Sequence, residues 1–327
     1  MKKESIQTKN GKAFEYAILK EFKEKLERAT TVEVLENNAL FTAQKHFNSF
    51  EKIEQGEFLL YASFAVNFLI DIEPRLSYSF DENDILQLEI LIDDKGQDGD
   101  VRDVVAIRLL QKWEIGISAK NNHKAIKHSR LSSKIDFGEK WLGIKSSTQY
   151  FDEIRPIFDS LEKMRTENNK TKTWNSLGNY HLAIYTPILE AFKTELLRIY
   201  NTNPSQVAST LVEYLIGTKD FYKVIKSKKN IEIQAYNLHG TLNLPFKDIH
   251  PKFNTPKVNL PTEIINISYK EDTLTTLIVE LNNDWTLSFR IHNASSRIEP
   301  SLKFDINLLK APNSLFTNKL SIGGGEE

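Results

Sequence analysis

The sequence predicts an α/β protein of the α+β kind, with a helical N-terminal region, a strand meander and a β-rich C-terminal region. Apolar residues recur at helical spacing through residues 11–72. The period changes to two at Leu86, and alternating patterns dominate residues 231–309. A period of about 3.6 is typical of an amphipathic helix, and a period of two is typical of a half-buried strand. These three observations together predict the fold class.

The N-terminal third is predicted to be helical. Residues 11–27 carry apolar side chains at i, i+4 spacing from Phe14 to Phe22, which gives the segment one apolar stripe. Two more helices are expected, around residues 31–47 and 57–72. A proline follows the second of these and predicts its end.

The next segment is predicted to form three strands followed by a helix. Alternating patterns indicate strands at residues 86–92, 103–108 and 113–120. The acidic, glycine-containing residues 93–100 read as a turn between the first two strands. Asn121 or Asn122 can cap a helix that runs to about Leu131. The expected order is therefore strand, strand, strand, helix.

The rest of the chain divides into a helical part and a β-rich part. Helices are expected at residues 150–165, 181–200 and 205–216, with a polar linker at 166–173. The β-rich part is clearest around residues 285–292, where apolar and polar side chains alternate. We therefore expect three regions. Residues 1–165 are a helical region with the first strands, residues 174–230 are a second helical region, and residues 231–320 are the β-rich region.

Composition limits the possible classes of protein. A chain of 327 residues with 40% hydrophobic composition can bury a substantial core. The formal net charge is −1, so affinity for nucleic acid must come from local patches. The absence of cysteine excludes disulfides and thiolate metal sites and fits a reducing cytoplasm. The longest apolar stretch, residues 58–72, is too short to span a bilayer. Residues 1–4 do not begin a secretory signal, so we expect a cytoplasmic protein without a membrane segment.

A cluster of acids directly precedes a cluster of bases. Residues 93–103 contain five aspartates, and from Lys120 to Lys134 the charged residues are all basic. A phosphodiesterase needs both kinds of group, because carboxylates hold Mg²⁺ and cations hold the phosphate. The stretch therefore indicates a metal-dependent nuclease.

Two residues of the predicted strands are expected to meet. Glu114 and Lys120 share a face of the third strand, but they lie six residues apart, roughly 20 Å along a regular strand. Lys120 must therefore find its carboxylate elsewhere. Neighbouring strands lie only about 4.8 Å apart, so Asp103 can approach Lys120 if the second and third strands are antiparallel.

The basic segment is predicted to bind phosphates. If the segment were a helix, its cations would share one side of it. One row along the helix would contain Lys120, Lys124 and Lys127, and the neighbouring row would contain His123, Lys127 and Arg130. Like charges at such spacing repel, which makes a nucleic-acid backbone an attractive counter-anion. The alternative is a solvated face neutralised by nearby acids.

Four segments of the chain resemble the HaeIII-type family of type II restriction endonucleases. They are GDVRDVV at 99–105, WEIGISAKNNHKAIKHSRLS at 113–132, KNGKAFEYA at 9–17 and DFYKVI at 220–225. The resemblance implies Mg²⁺-dependent cleavage of both strands of a short palindrome, with GGCC expected. It also implies a PD-(D/E)xK-like core, which is a mixed β-sheet flanked by helices.

The resemblance assigns roles to individual residues. Asp103 corresponds to the metal-binding aspartate of the core, with Asp100 as the nearby substitute, and Lys120 corresponds to its lysine. The chain departs from the (D/E)xK pattern at Ser118, where an acid is expected.

A second carboxylate must therefore come from another element. Glu15 on the first helix and Glu114 on the third strand are the candidates, with Asp136 and Glu139 as further options. Backbone phosphates would be positioned by the cations and histidines of the basic segment, which are His123, Lys124, Lys127, His128 and Arg130.

The expected partner is double-stranded DNA. A palindromic target implies a symmetric homodimer in which each subunit cuts one strand. The β-rich residues 231–320 are a candidate for DNA recognition. Three alternatives stay open, which are a DNA-binding protein without catalysis, a repair or branched-DNA nuclease with the same core, and a hydrolase with a metal held by His123 and His128. The five-residue spacing of those histidines lacks the one-turn geometry of a helical metal pair.

Overall fold

The structure is a computed structural model that describes residues 5–92, 100–121, 126–167 and 171–322. Its residues separate into two compact units, each built from segments that are distant along the chain. The first unit comprises Met1–His123, Gly217–Val258 and Ser314–Glu327. The second comprises Lys124–Ile216 and Asn259–Asn313. Within the described ranges, no helix has both the length and the apolar character needed to cross a membrane.

Helices occupy the first quarter and the middle of the chain. They are α1 (Ile6–Leu26), α2 (Asn38–Asn48), α3 (Lys52–Ile72), α4 (Pro74–Ser77), α5 (Phe137–Leu142), α6 (Thr148–Glu167), α7 (Thr186–Tyr200) and α8 (Pro204–Ile216). A 3₁₀ turn at Trp174–Leu177 and a π-helical turn at His181–Tyr185 precede α7.

Strands lie between and after the helices. They are β1 (Val32–Val34), β2 (Leu86–Ile90), β3 (Val104–Arg108), β4 (Trp113–Asn121), β5 (Lys127–Leu131), β6 (Phe221–Lys226), β7 (Asn230–Tyr236), β8 (Ile264–Tyr269), β9 (Thr276–Leu281), β10 (Thr286–Asn293), β11 (Leu302–Lys310) and β12 (Phe316–Ser321). The helical N-terminal region and the strand-rich C-terminal region predicted from the sequence are confirmed.

The first unit contains a mixed sheet with the strand order β1-β2-β3-β4-β6-β7-β12. The pairs β1–β2 and β4–β6 are parallel and the other pairs are antiparallel. Helix α1 packs against β4, and α3 packs against α1 and β7. The predicted mixed sheet flanked by helices is thus present in this unit.

Strand β4 has one apolar and one polar face. Ile115, Ile117 and Ala119 are buried in one cluster with apolar side chains of α1 and α3, including Phe14 and Leu69. Side chains alternate along a strand. Glu114, Gly116, Ser118 and Lys120 therefore lie on the opposite face of β4.

The helix predicted for residues 121–131 is wrong over the part that the structure describes. Strand β4 extends through Asn121, and β5 pairs antiparallel with β11. Ser129 and Leu131 are buried while His128 and Arg130 are exposed, which is the period of a strand. Pairing with β11 satisfies the backbone of this segment, and such tertiary pairing overrides a charge spacing that would also suit a helix.

One further predicted helical segment contains a strand. Within residues 31–47, Val32–Val34 pairs parallel with β2, and the helix begins only after Asn37. The Oδ1 atom of Asn37 accepts the backbone N–H of Leu40 at 2.9 Å, a side-chain cap that fixes this start. Strand β6 begins after the predicted helices of residues 181–200 and 205–216.

The second unit contains an antiparallel sheet with the order β5-β11-β10-β9-β8 and the helices α5 to α8. The predicted alternation around residues 285–292 is confirmed, because Leu287, Phe289 and Ile291 of β10 are buried. An aromatic cluster fills the core of this unit, and it includes Phe137, Trp141, Phe192, Phe289 and Phe304. The division into three regions along the sequence stays a prediction.

Candidate active site

Asp103 and Lys120 meet at the end of a strand pair in the first unit. Strands β3 and β4 are antiparallel with Val104 opposite Ile117, which places Asp103 beside the end of β4. The Lys120 ammonium donates to Asp103 Oδ2 at 3.0 Å. The same oxygen accepts the backbone N–H of Ala119 at 2.7 Å. The predicted proximity of these two side chains is confirmed.

Ser118 stands where the (D/E)xK pattern expects an acid. Its side chain is buried, and its Oγ atom donates to Asp103 Oδ2 at 3.3 Å. The serine thus helps to orient the aspartate, but it supplies no negative charge. The second carboxylate of the site must come from an element other than β4.

Glu15 of α1 places a further carboxylate near Asp103. It is only 5% exposed, and burial together with the negative charge of Asp103 raises the pKa of Glu15 to about 8. Lys12, one turn earlier, donates to Glu15 Oε2 at 3.0 Å. The charges of both Lys12 and Lys120 act in the opposite direction and lower this pKa. Glu15, Asp103 and Lys120 therefore share one electrostatic environment.

A cleft opens beside these residues. Its volume is about 300 Å³, and it is lined by Ser5, Gln7, Thr8, Gly11, Lys12, Glu15, Ala119, Lys120 and Asn121. The lining comes from the start of α1 and the end of β4. The cleft thus gives solvent and ligands a route to Glu15 and Lys120.

The acids of this site fit a hard divalent cation. Mg²⁺ in proteins is commonly bound by one or two carboxylates, with water and substrate phosphates completing its shell. Burial, and after it the negative charge of Asp103, raises the pKa of Glu15, and a cation between the two carboxylates would favour the ionised form of Glu15. Among the described residues there is no group of three or more acids, histidines and cysteines arranged around a metal position. A two-carboxylate site is therefore the one that this part of the chain offers.

Glu114 and Asp100 belong to a different charge cluster. Glu114 accepts from Lys219 at 2.8 Å and lies 3.2 Å from Arg102. Both oxygens of Asp100 accept from the Arg102 guanidinium, at 2.8 and 2.7 Å. Burial alone would raise the pKa of Asp100, but the hydrogen bonds and charge of Arg102 lower it. The structure places Glu114 near the other end of β4 from Lys120, in a cluster separate from the Asp103–Lys120 pair.

The Arg102 side chain crosses β4 at Gly116. A Cβ atom on Gly116 would lie 1.9 Å from Arg102 Cδ and 2.4 Å from Cγ. Glycine at this position therefore creates the space in which Arg102 bridges Asp100 and Glu114. The Asp100–Arg102–Glu114 cluster has a structural explanation that does not need a metal.

The predicted phosphate-binding residues occupy the second unit where the structure describes them. The Lys127 ammonium donates to Tyr214 O at 2.7 Å and lies 3.7 Å above the ring of the same tyrosine. Exposed His128 and Arg130 project from the other face of β5. His123 and Lys124 lie outside the described residues. A role of these five residues in DNA binding stays a prediction.

Sequence reasoning missed two lysines near the site. Lys12 was not considered, although it lies one helical turn before Glu15 and could have been found from that i, i+3 spacing. Lys223 is a buried lysine on β6, directly beside Ser118 in the parallel β4–β6 register. Its signal was a lysine between apolar residues, in the middle of a strand that ends in a second lysine, Lys226.

The comparisons with known proteins agree with the resemblance seen in the sequence. The model of the HaeIII restriction endonuclease family matches residues 11–312. The chain is 41% identical over 305 residues to the "Type II restriction enzyme HaeIII" of Haemophilus aegyptius, covering 93% of this chain and 94% of that relative. No solved structure matches the chain. By its family match and its near full-length identity to this relative, the chain belongs to the HaeIII restriction endonuclease family.

Proposed function

We propose that this restriction endonuclease cuts both strands of DNA at the palindrome GGCC in a reaction that requires Mg²⁺, and that it acts in the cytoplasm. The observation that supports the chemistry is the placement of the Lys120 ammonium on Asp103, beside the buried carboxylate of Glu15. The target sequence is carried over from the family. The relative that shares 41% identity is named a type II restriction enzyme.

The carboxylates of Asp103 and Glu15 would hold Mg²⁺ in the cleft. When bound, Mg²⁺ polarises the scissile phosphate and lowers the pKa of a coordinated water. Asp103 Oδ2 keeps its orientation through the backbone N–H of Ala119, so its position does not depend on a flexible side chain. The aspartate would therefore be preorganised for its role.

Lys120 would act directly on the reacting groups. Its ammonium carries three N–H donors, and Asp103 accepts one of them. The remaining donors would orient the attacking water and stabilise the negative charge that develops on the phosphate oxygens. Lys12 would stabilise the ionised form of Glu15, because its ammonium already donates to that carboxylate.

Substitution of Lys120 tests this mechanism. Purified protein is incubated with Mg²⁺ and a duplex that carries one GGCC site, a scrambled duplex serves as the substrate control, and the product ends are sequenced. We expect Lys120→Ala to lower single-turnover cleavage by about 10²–10³-fold, the usual loss for a transition-state donor. Binding in Ca²⁺ should change little.

Lys219→Ala is the matched control for this experiment. Lys219 also pairs with an acid of the first unit, but it is half-exposed and its partner is Glu114. We expect this variant to cleave at the rate of the unsubstituted protein. Full activity of Lys120→Ala would contradict the role of Lys120, random product ends would contradict site specificity, and DNA binding without any cleavage would favour a non-catalytic protein.

A further inference from the structure

Lys223 lies on the strand next to the candidate active site. In the parallel β4–β6 pair, Lys223 is the register partner of Ser118. Register partners on adjacent strands point to the same face, and the strands are about 4.8 Å apart. Ser118 and Lys120 share a face of β4 because they are two residues apart. Lys223 therefore lies on the same face as the lysine assigned to catalysis.

The Lys223 side chain is largely buried, and no described residue forms an ion pair with its ammonium. The residue is 6% exposed, and within the described part of the chain it forms neither an ion pair nor a hydrogen bond through its side chain. Burial and the positive charge of Lys120 together lower the pKa of Lys223 to about 8. The negative charge of Glu232 raises this pKa, but by less than the charge of Lys120 lowers it.

A second buried lysine of the same strand shows the usual arrangement. Lys226 is 7% exposed, but its ammonium contacts Glu57 at 2.8 Å and lies 4.6 Å from the Tyr61 ring centroid. Lys226 lies three residues after Lys223 and so points to the opposite face of the sheet. Buried charges are normally paired in this way because desolvation is costly. Lys223 departs from this rule at the place where an anionic substrate is expected.

The serine at position 118 explains why Lys223 stays unpaired. An acid at that position, as in the (D/E)xK pattern, would stand directly opposite Lys223 in the register and would neutralise it. Ser118 instead donates to Asp103. The departure from the family pattern therefore leaves a second positive charge on this face of the sheet.

We propose that Lys223 is a substrate-binding residue whose ammonium contacts a non-bridging oxygen of the DNA phosphate at the active site. This inference rests on the proposed nuclease function. The phosphate would supply a negative charge in direct contact with this ammonium, which no described residue does, and it would offset the repulsion between Lys223 and Lys120. Lys120 would then be available to orient the attacking water.

The test compares Lys223→Met with Lys226→Met, because methionine retains a similar length without charge. Three quantities are measured for each variant, which are the urea midpoint, the salt dependence of binding to a GGCC duplex in Ca²⁺, and single-turnover cleavage in Mg²⁺. For Lys223→Met we expect an unchanged or higher urea midpoint and a loss of about 10²-fold in cleavage. The slope of log Kobs against log salt should decrease by about 0.9, the value for one phosphate contact.

Lys226→Met should show the opposite pattern. It removes an ammonium that contacts half-exposed Glu57 and lies over the Tyr61 ring, so its urea midpoint should fall while the folded protein cleaves and binds normally. A Lys223→Met variant that cleaves at the rate of the unsubstituted protein with an unchanged salt slope would overturn the proposal. Failure of Lys223→Met to fold would also overturn it, since Lys223 would then serve the structure. If the unsubstituted protein did not cut DNA, the proposed function would fail. The salt dependence of DNA binding would still show whether Lys223 contacts a phosphate.

Discussion

Glu15 is the residue whose ionisation depends most clearly on the architecture around it. In the sequence it is an acid at the edge of an apolar helical stripe, a position with several ordinary explanations. In the fold it is buried near the charge of Asp103, and its pKa is raised to about 8. Carboxyl pKa values raised by burial and a neighbouring like charge are typical of functional sites.

The pH dependence of stability tests the state of Glu15. Because its pKa is about 4.5 in an unfolded chain and about 8 in the fold, its protonation stabilises the folded state fully below pH 4.5. That contribution is lost as the pH rises to 8. We expect Glu15→Gln to remove this loss, so that in EDTA at pH 8.5 the variant has a higher urea midpoint than the unsubstituted protein.

Mg²⁺ should stabilise the unsubstituted protein more than it stabilises Glu15→Gln. A ligand that binds only the folded state stabilises it. Addition of Mg²⁺ at pH 8.5 should therefore raise the urea midpoint of the unsubstituted protein more than that of Glu15→Gln. Identical pH profiles in EDTA would show that Glu15 titrates normally, and identical responses to Mg²⁺ would show that it does not hold the ion.

At the scale of single elements, β4 carries two separate charge clusters on one face. Lys120 at its end contacts Asp103, and Glu114 near its start contacts Arg102 and Lys219. The sequence estimate of roughly 20 Å between Glu114 and Lys120 predicted that they could not share a metal. The structure agrees with that estimate, because residues Trp113–Asn121 form one continuous strand.

Gly116 connects the shape of β4 to the first of these clusters. We expect Gly116→Ala to lower the free energy of unfolding by about 1–3 kcal/mol, because its methyl group would displace the Arg102 side chain. Urea denaturation measures the change. Gly56→Ala is the control, since no heavy atom lies within 4 Å of the added Cβ in helix α3. It should stabilise the protein by about 0.5–1 kcal/mol. Equal stability of Gly116→Ala and the unsubstituted protein would show that Arg102 moves aside freely.

Strand β5 shows where local patterns mislead. The spacing of its cations fits a helix as well as a strand, because a short charged segment has no apolar stripe strong enough to distinguish the two. Pairing with β11 makes the segment a strand. Strand β11 lies some 170 residues later in the chain, as the pair Arg130–Lys303 shows. In contrast, α1, α3 and β10 have strong periodicities and were predicted correctly in type.

At the scale of the whole molecule, the net charge of −1 provides no long-range attraction to DNA. Binding must come from local cations, for which we propose Lys120 and Lys223. A symmetric dimer would double each of these contacts on a palindrome. The salt dependence of binding is therefore a direct measure of how many lysines contribute.

Mixed dimers test the proposed assembly. If each subunit cuts one strand, a dimer with one Lys120→Ala subunit should nick a supercoiled plasmid at GGCC and should not linearise it in a single encounter. Differently tagged subunits allow such dimers to be purified, and sedimentation of the unsubstituted protein gives its mass. A monomer that cuts both strands in one encounter would rule out this arrangement.

The sequence by itself determined the chemistry that is available: an aspartate and a lysine on neighbouring strands, an intervening serine in place of an acid, and a resemblance to one family. Only the tertiary structure brought Glu15 close enough to feel the charge of Asp103 and placed Lys223 beside Ser118, without an ion pair among the described residues. The reason is physical. Alternation along a strand is local and can be read from the residues, whereas the packing of α1 on β4 and the parallel pairing with β6 join segments that are about a hundred residues apart.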